Sequence, residues 1–405
     1  TMISSPSTGL KGEFRVPGDK SISHRSVMLG SLAEGITEVS GFLEADDALA
    51  TLTAFQNMGV NIEHLGPGQL RIHGVGLHGL QKPAADLYVG NSGTSMRLLS
   101  GILAGQQFDS VMSGDCSLTK RPMRRVLDPL ALMGANVESS SNGTAPLKIK
   151  GGEALSGINY TMPMGSAQVK SCLLLAGLYA EGTTTVVEPA VTRDHTEQML
   201  RGFGYEVNTE ANVVSLKGGG RLTATSIDVP ADISSAAFFL VAASITPNSD
   251  ITLQHVGINP TRTGVIDILL KMGANIELLN KRTVGGETVA DIRVRSSELK
   301  GIHVPEELVA LAIDEFPVLF VAAAYAVGTT VVTGAEELRV KESDRIQAMA
   351  DGLQALGVDA QATEDGMIIT GGRVMGGVVE SVDDHRIAMA FAVAGLQSEN
   401  SIEIN

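Results

Sequence analysis

The sequence predicts an α/β fold of six repeated βαβαββ units, three in each of two domains. Three observations carry that expectation. The first is length: 405 residues exceed what one ordinary core organises, so two domains of about 200 residues are expected. The second is an amphipathic helix that closes on a hydrophobic residue plus glycine and then enters a strand. It occurs in TAFQNMGVNIE, LDPLALMGANVE, EQMLRGFGYEVN, IDILLKMGANIE and DGLQALGVDAQ. The glycines Gly59, Gly134, Gly204, Gly273 and Gly357 recur at intervals of roughly 70 to 85 residues, the mark of a repeated unit, and each suits the left-handed turn that ends a helix. The third is a strand followed by a polar cluster and a small-residue apolar helix, found six times: GDKSISHRSVMLGSLAEG, GNSGTSMRLLSGILAGQ, GSAQVKSCLLLAGLYAEG, ADISSAAFFLVAASIT, DEFPVLFVAAAYAVG and DDHRIAMAFAVAGLQ.

Interleaved, the two patterns define a unit of strand, buried helix, strand, amphipathic helix, and strand or hairpin, as periodicity requires. Five copies are complete, and the sixth stops in its second strand, SIEIN (401–405). Six units divide into two domains with one crossing near residue 18 and another near residue 230, where SIDVPAD opens the fourth copy. The first domain is expected to span 18–230 and the second 1–17 plus 231–405. The opening strand GEFRV is expected to return to the second domain and fill the sixth unit. No stretch rich in Pro, Ser or charge separates the halves, so the hinge must be short.

Composition narrows the function. A formal charge of −15 with a pI near 5.0 argues against nucleic acid, whose partners present a net basic stripe. Cys116 and Cys172 form neither a disulfide framework nor a metal site, and no histidine spacing suggests a ligand set. No metal or cofactor is therefore expected. The longest apolar run, FPVLFVAAAYAVG (316–328), falls short of the roughly 18 residues of a membrane span. TMISSPSTGL lacks a charged start followed by an apolar core. The expectation is a soluble cytoplasmic monomer that touches neither membrane nor nucleic acid.

Charge is placed with more purpose than it is supplied. The bodies of the six small-residue helices are apolar, while polar groups gather at their first turns, where unpaired N–H groups and a partial positive charge attract anions. Full positive charges join them: Lys20 and Arg25; Lys120, Arg121, Arg124 and Arg125 in SLTKRPMRR; Lys341 and Arg345 in RVKESDR; His385 and Arg386 in DDHR. Dipole effects contribute about 0.3–1 kcal/mol each, against about 1.5–3 kcal/mol for hydrogen bonds to charged groups. The Lys and Arg residues should dominate. Taken singly, TKRPMRR could be a solvated basic turn and RVKESDR a solvated helix start. An acidic chain that gathers cations at element ends in both halves reads as a cleft for small polyanions bearing phosphate or carboxylate.

These stretches resemble a known family, the 5-enolpyruvylshikimate-3-phosphate (EPSP) synthases. PGDKSISHR (17–25), GNSGTSMR (90–97), TKRPM (119–123), GSAQVKS (165–171), TRDHTE (192–197), NPTR (259–262), RVKESDR (339–345) and DDHRIAMA (383–390) match in family order across nearly the whole chain. GDKS, SAQVK and TRDHTE look like the bacterial branch often called class II. The resemblance implies the enolpyruvyl transferase fold, a two-domain inside-out α/β barrel. It also implies transfer of the enolpyruvyl group of phosphoenolpyruvate to the 5-hydroxyl of shikimate 3-phosphate, releasing phosphate, on the shikimate pathway to chorismate and the aromatic amino acids. By motif, Lys20, Ser21, Arg25, Ser166, Ala167, Gln168, Arg193, Asp314 and Lys341 would hold shikimate 3-phosphate, and Lys20, Gly93, Arg121, Gln168, Arg345 and Arg386 phosphoenolpyruvate. Lys20, Asp314, Glu342 and His385 are implicated in proton transfer. The family supplies one more phosphoenolpyruvate-side lysine in a segment beyond Asn405.

The reaction needs an acid to protonate the methylene carbon and a base to take the hydroxyl proton, each contributing roughly 10²–10⁴ in rate. Asp314 is the expected base; Glu342 and Lys20 are candidates for the acid, between which the sequence does not choose. Together the substrates bring about six negative charges, so cations from both domains are required and closure on binding is expected. Cys116 lies about where the related UDP-N-acetylglucosamine enolpyruvyl transferases carry a reactive cysteine, which makes that activity the alternative. A non-catalytic polyanion-binding repeat scaffold is a third reading, one with no need for Asp314 or Glu342. Family resemblance also makes the chain a glyphosate target: tolerant class II members place alanine where this chain has Gly93.

Overall fold

The computed structural model describes all 405 residues and groups them into two compact units. One comprises Gly18–Pro230 with Thr283–Glu287, the other Thr1–Pro17, Ala231–Arg282 and Thr288–Asn405. Each has its own apolar core. The six small-residue helices are Lys20–Leu32, Gly93–Ala104, Ala167–Gly177, Ile233–Ile245, Phe316–Tyr325 and His385–Ala394. Their apolar bodies are buried, and five of the six begin on a capping side chain that accepts a first-turn N–H: Asp19, Ser92, Ser166, Asp232 and Asp384. Small residues let them approach. A Cβ on Gly101 would lie 2.2 Å from the Cys172 carbonyl oxygen, so helices Gly93–Ala104 and Ala167–Gly177 can meet here only through glycine.

Four of the copies form four-stranded sheets folded the same way, and the fifth and sixth form three-stranded sheets. In the second copy Leu87–Tyr88 runs parallel to Ser110–Ser113, which pairs antiparallel with Leu147–Lys150, itself antiparallel to Asn136–Glu138. A crossover helix joins parallel neighbours and a hairpin closes the sheet. The five glycines expected to end the amphipathic helices all adopt positive φ, between 81° and 101°, as a left-handed terminus requires.

The expectation that GEFRV fills the sixth unit fails. Strand Lys11–Phe14 pairs parallel with Asp250–Gly257 in the fourth copy, and Met2–Ser4 instead lies antiparallel to Ile402–Ile404 in the sixth. The reason is the position of the crossings, each of which falls between a copy's first strand and its first helix. A strand left behind must fill the vacant edge of the other half's first sheet. Lys11–Phe14 does so in the fourth copy, and Ser226–Asp228, before the second crossing, pairs parallel with Glu34–Ser40 in the first.

The apolar run at 316–328 also extends further back than the sequence indicates. Glu306–Tyr325 winds almost continuously over 20 residues, long and apolar enough to cross a bilayer by length and composition, yet 67% of its most apolar stretch is buried. It is broken at Ala312, where φ −134° and ψ 16° leave the helix, and it serves as a core helix of the second unit.

Candidate active site

Three clusters of charged side chains form at helix starts, two in the first unit and one in the second. Arg25 leads the first cluster. It lies one turn after Ser21 on helix Lys20–Leu32, so its guanidinium folds back to donate to the Ser21 carbonyl at 3.0 Å. The same group donates to Thr196 Oγ1 at 2.7 Å and Ser171 Oγ at 3.0 Å, and those hydroxyls are 2.7 Å apart. Burial lowers the Arg25 pKa to about 10, partly offset by Asp19, Glu197 and Glu287; the group stays cationic at neutral pH. Lys20 points the other way, exposed, with Nζ 3.1 Å from Asp47. His24, which shares a helical face with Lys20, is buried against Thr51 Oγ1 at 2.7 Å. Burial, with Arg25 nearby, lowers it to about 3, so it is a neutral structural group. Arg193 is half-buried in the segment that precedes helix His195–Gly202.

The second cluster surrounds Gly93. Arg97, one turn further on, donates to Gln168 Oε1 at 2.7 Å and to the Pro122 carbonyl at 3.2 Å. The Gln168 amide in turn donates to Thr94 Oγ1 at 3.1 Å. A methyl on Gly93 would come within 3.0 Å of the Arg121 guanidinium and 3.4 Å of Arg97. Gly93 therefore keeps backbone N–H groups and two cations close together. Desolvation by burial, then repulsion from Arg121 and Arg125, depresses the Arg97 pKa. Three like charges held in proximity are the signature of a site that an anion relieves. Ser166, whose hydroxyl caps Val169 N at 3.2 Å, and Ala167 open the helix that carries Gln168 one turn before Ser171.

The third cluster lies in the second unit around Arg345, the first residue of helix Arg345–Ala355 and only 3% exposed at its side chain. Nε is 2.9 Å from Asp384 Oδ2, the guanidinium is 2.6 Å from Glu342, and Asp314 Oδ1 lies 3.7 Å away. Lys341 Nζ approaches the same Asp314 oxygen at 3.6 Å, and Arg386 donates to the Asp314 carbonyl at 3.3 Å. Asp384 also accepts from Ser343 Oγ at 2.7 Å and caps Arg386 N at 3.0 Å. Burial alone would raise the Asp384 carboxyl, but hydrogen bonds from Arg345 and Ser343 hold it below the ordinary value. Asp314 sits in the short turn Ala310–Glu315 rather than within the apolar helix that follows. His385 and Glu342 are exposed.

Arg97, Ser171, Thr196 and Asp384 complete these clusters without having been singled out from sequence. Arg97 and Ser171 lie inside the quoted motifs GNSGTSMR and GSAQVKS, so the four-residue helical spacing from Gly93 and three-residue spacing from Gln168 could have found them. Thr196 and Asp384 also lie inside quoted motifs, TRDHTE and DDHRIAMA, but nothing local there distinguishes them from an ordinary helix start.

Three comparisons bear on this geometry. Residues 4–405 match the family model for EPSP synthase (3-phosphoshikimate 1-carboxyvinyltransferase). The chain belongs to the EPSP synthase family. Among its relatives, the 3-phosphoshikimate 1-carboxyvinyltransferase of Methylococcus capsulatus is 67% identical over 400 residues, covering 99% of this chain and 92% of that protein. That of Hydrogenovibrio crunogenus is 63% identical over 407 residues, with coverages of 99% and 92%. A solved EPSP synthase from Acinetobacter baumannii superposes with a TM-score of 0.97 at 60% identity, covering 100% of this chain and 93% of that one. The fold is thus that of the EPSP synthases, and the chain is an enzyme of that family. Neither the UDP-N-acetylglucosamine transferase reading nor the scaffold reading is favoured.

Proposed function

We propose that this chain transfers the enolpyruvyl group of phosphoenolpyruvate to the 5-hydroxyl of shikimate 3-phosphate, with the three clusters supplying charge and proton transfer. Lys20, Ser21, Arg25, Ser166, Ala167, Gln168, Arg193, Asp314 and Lys341 would hold shikimate 3-phosphate, and Lys20, Gly93, Arg121, Gln168, Arg345 and Arg386 phosphoenolpyruvate. The observation that carries this reading is the set of guanidiniums pressed together beside Gly93 and buried at Arg25 and Arg345, sites whose charge is satisfied by phosphate and carboxylate. Asp314 takes the hydroxyl proton as the 5-oxygen bonds to the enol carbon. An acid delivers a proton to the methylene carbon, and phosphate later leaves as a base removes a proton from the resulting methyl group and the double bond re-forms. Glu342 and Lys20 are the candidates for that acid, and His385 is a further group for proton transfer. The working state proposed is a cytoplasmic monomer; the burial of Glu306–Tyr325 supports only a core place for that helix. The test is phosphate release with phosphoenolpyruvate and either shikimate 3-phosphate or UDP-N-acetylglucosamine as acceptor. Release should require the first and be absent with the second; the reverse would transfer the chain to the alternative activity.

Two further results follow. Cys116 is exposed in the loop before the basic segment, while Cys172 is buried, and no step above uses either thiol. Cys116→Ser should keep turnover within about twofold of wild type, and abolished turnover would indicate an adduct-forming cysteine. Glyphosate should compete with phosphoenolpyruvate in the wild type. In Gly93→Ala the added methyl would lie 3.0 Å from the Arg121 guanidinium, so tight that the guanidinium must give by a few tenths of an ångström. The inhibition constant is expected to rise at least tenfold, with a smaller rise in KM for phosphoenolpyruvate. Equal inhibition constants would remove Gly93 from the pocket.

A further inference from the structure

Lys170 is fully buried in the first turn of helix Ala167–Gly177, 3.0 Å from Glu188 Oε1 and 2.9 Å from Glu197 Oε2, two carboxylates each only 2% exposed. One ammonium thus serves two buried carboxylates. The other Glu197 oxygen has no hydrogen-bond partner, and desolvation raises the Glu197 pKa against the pull of Lys170. A buried ion cluster with an unsatisfied oxygen is a poor way to stabilise a core, which apolar residues of similar volume would fill as well. Its value must lie in what it fixes in place. Glu188 ends strand Thr183–Val187, joined to Asn212 through backbone N–H to carbonyl at 2.9 Å, and accepts from Thr192 N at 3.2 Å and from the Thr192 hydroxyl. Lys170 Nζ donates to the Thr192 carbonyl at 3.5 Å. Three of its four members are next in sequence to a residue of the Arg25 cluster or to Arg193: Lys170 precedes Ser171, Glu197 follows Thr196, and Thr192 precedes Arg193; Glu188 reaches the last of these through its bonds to Thr192.

We propose that Lys170 and Glu188 are positioning residues for shikimate 3-phosphate, clamping the Thr192–Arg193 segment and the Ser171–Thr196 hydroxyl pair so that Arg25 and Arg193 meet one anion in a fixed geometry. This rests on the assignment of Arg25 and Arg193 to that substrate. The clamp acts on one substrate only, because none of its bonds reaches Gly93, Arg97 or Arg121.

The test is calorimetric titration of the full chain with shikimate 3-phosphate alone, paired with KM for phosphoenolpyruvate. Glu188→Ala, which frees Thr192 but leaves Lys170 paired with Glu197, should weaken shikimate 3-phosphate at least tenfold and change KM for phosphoenolpyruvate less than twofold. Glu188→Gln retains an oxygen for Thr192 and should stay within threefold of wild type. In the Arg193→Ala background Glu188→Ala should add less than threefold, because the clamp acts through Arg193. If Glu188→Ala does not fold, Lys170→Met/Glu197→Gln, which keeps the cluster's net charge, carries the same expectation. Wild-type affinity in the clamp variants alongside a loss in Arg193→Ala overturns the proposal, as do full additivity or equal losses for both substrates. Unchanged affinity in Arg193→Ala itself overturns the assignment of Arg193 instead.

Discussion

Asp314→Asn is expected to lower turnover at least a hundredfold while shikimate 3-phosphate affinity stays within about fivefold. The amide keeps the size and the hydrogen-bonding oxygen of the carboxylate but cannot accept a proton, and a positioned general base contributes roughly 10²–10⁴ in rate. The site is built for this division of labour. Lys341 and Arg345 lie 3.6 and 3.7 Å from the carboxylate, two cations beside the group assigned to take the proton. Rapid-quench turnover and calorimetry on the same preparation separate the two effects. Near-wild-type turnover would remove Asp314 from proton transfer.

Arg345→Ala is expected to have two large consequences with one cause. Removing the guanidinium leaves Asp384, 2% exposed, as a buried charge bonded only to Ser343 and the helix start, and such a break costs about 3–5 kcal/mol of stability. It also removes a cation from phosphoenolpyruvate, so affinity for that substrate should fall at least tenfold, with less effect on shikimate 3-phosphate. The double variant Arg345→Ala/Asp384→Asn separates these, since it should regain most of the stability and none of the affinity. The pH dependence has a definite sign. The folded Asp384 carboxyl titrates below its unfolded value, so its contribution is present above about pH 4 and is lost as pH falls through the folded pKa. The double variant should therefore lose less stability on acidification than the wild type. Equal acid sensitivity in the two would show that the Arg345–Asp384 pair does not govern this dependence.

The repeat was legible because it is written in local rules: Gly59, Gly134, Gly204, Gly273 and Gly357 each meet the steric demand of a helix terminus, and six apolar helices announce burial by composition. The destination of the first strand was not legible. Local propensity marks Lys11–Phe14 as extended but says nothing of whether Asp250–Gly257 or Ile402–Ile404 lies beside it, a choice set by where the chain crosses. Basic residues were legible as a class and not individually. Lys20 and Lys170 both fall in the first turn of a buried helix, yet one is exposed beside Asp47 and the other is buried between Glu188 and Glu197. That difference depends on carboxylates 18 and 27 residues away in sequence from Lys170. Arg97 and Ser171 were within reach of helical spacing; Asp384, holding Arg345 from 39 residues away, was not.

The most direct test of the chemistry is to follow carbon-13-labelled phosphoenolpyruvate by NMR as it reacts with shikimate 3-phosphate on the full chain. The expected result is one equivalent of inorganic phosphate for each enol ether formed at the 5-oxygen, with the vinyl carbons retained in the product. Formation of labelled pyruvate and phosphate without the ether would contradict transfer, because it would show that the clusters activate water rather than the sugar-like hydroxyl.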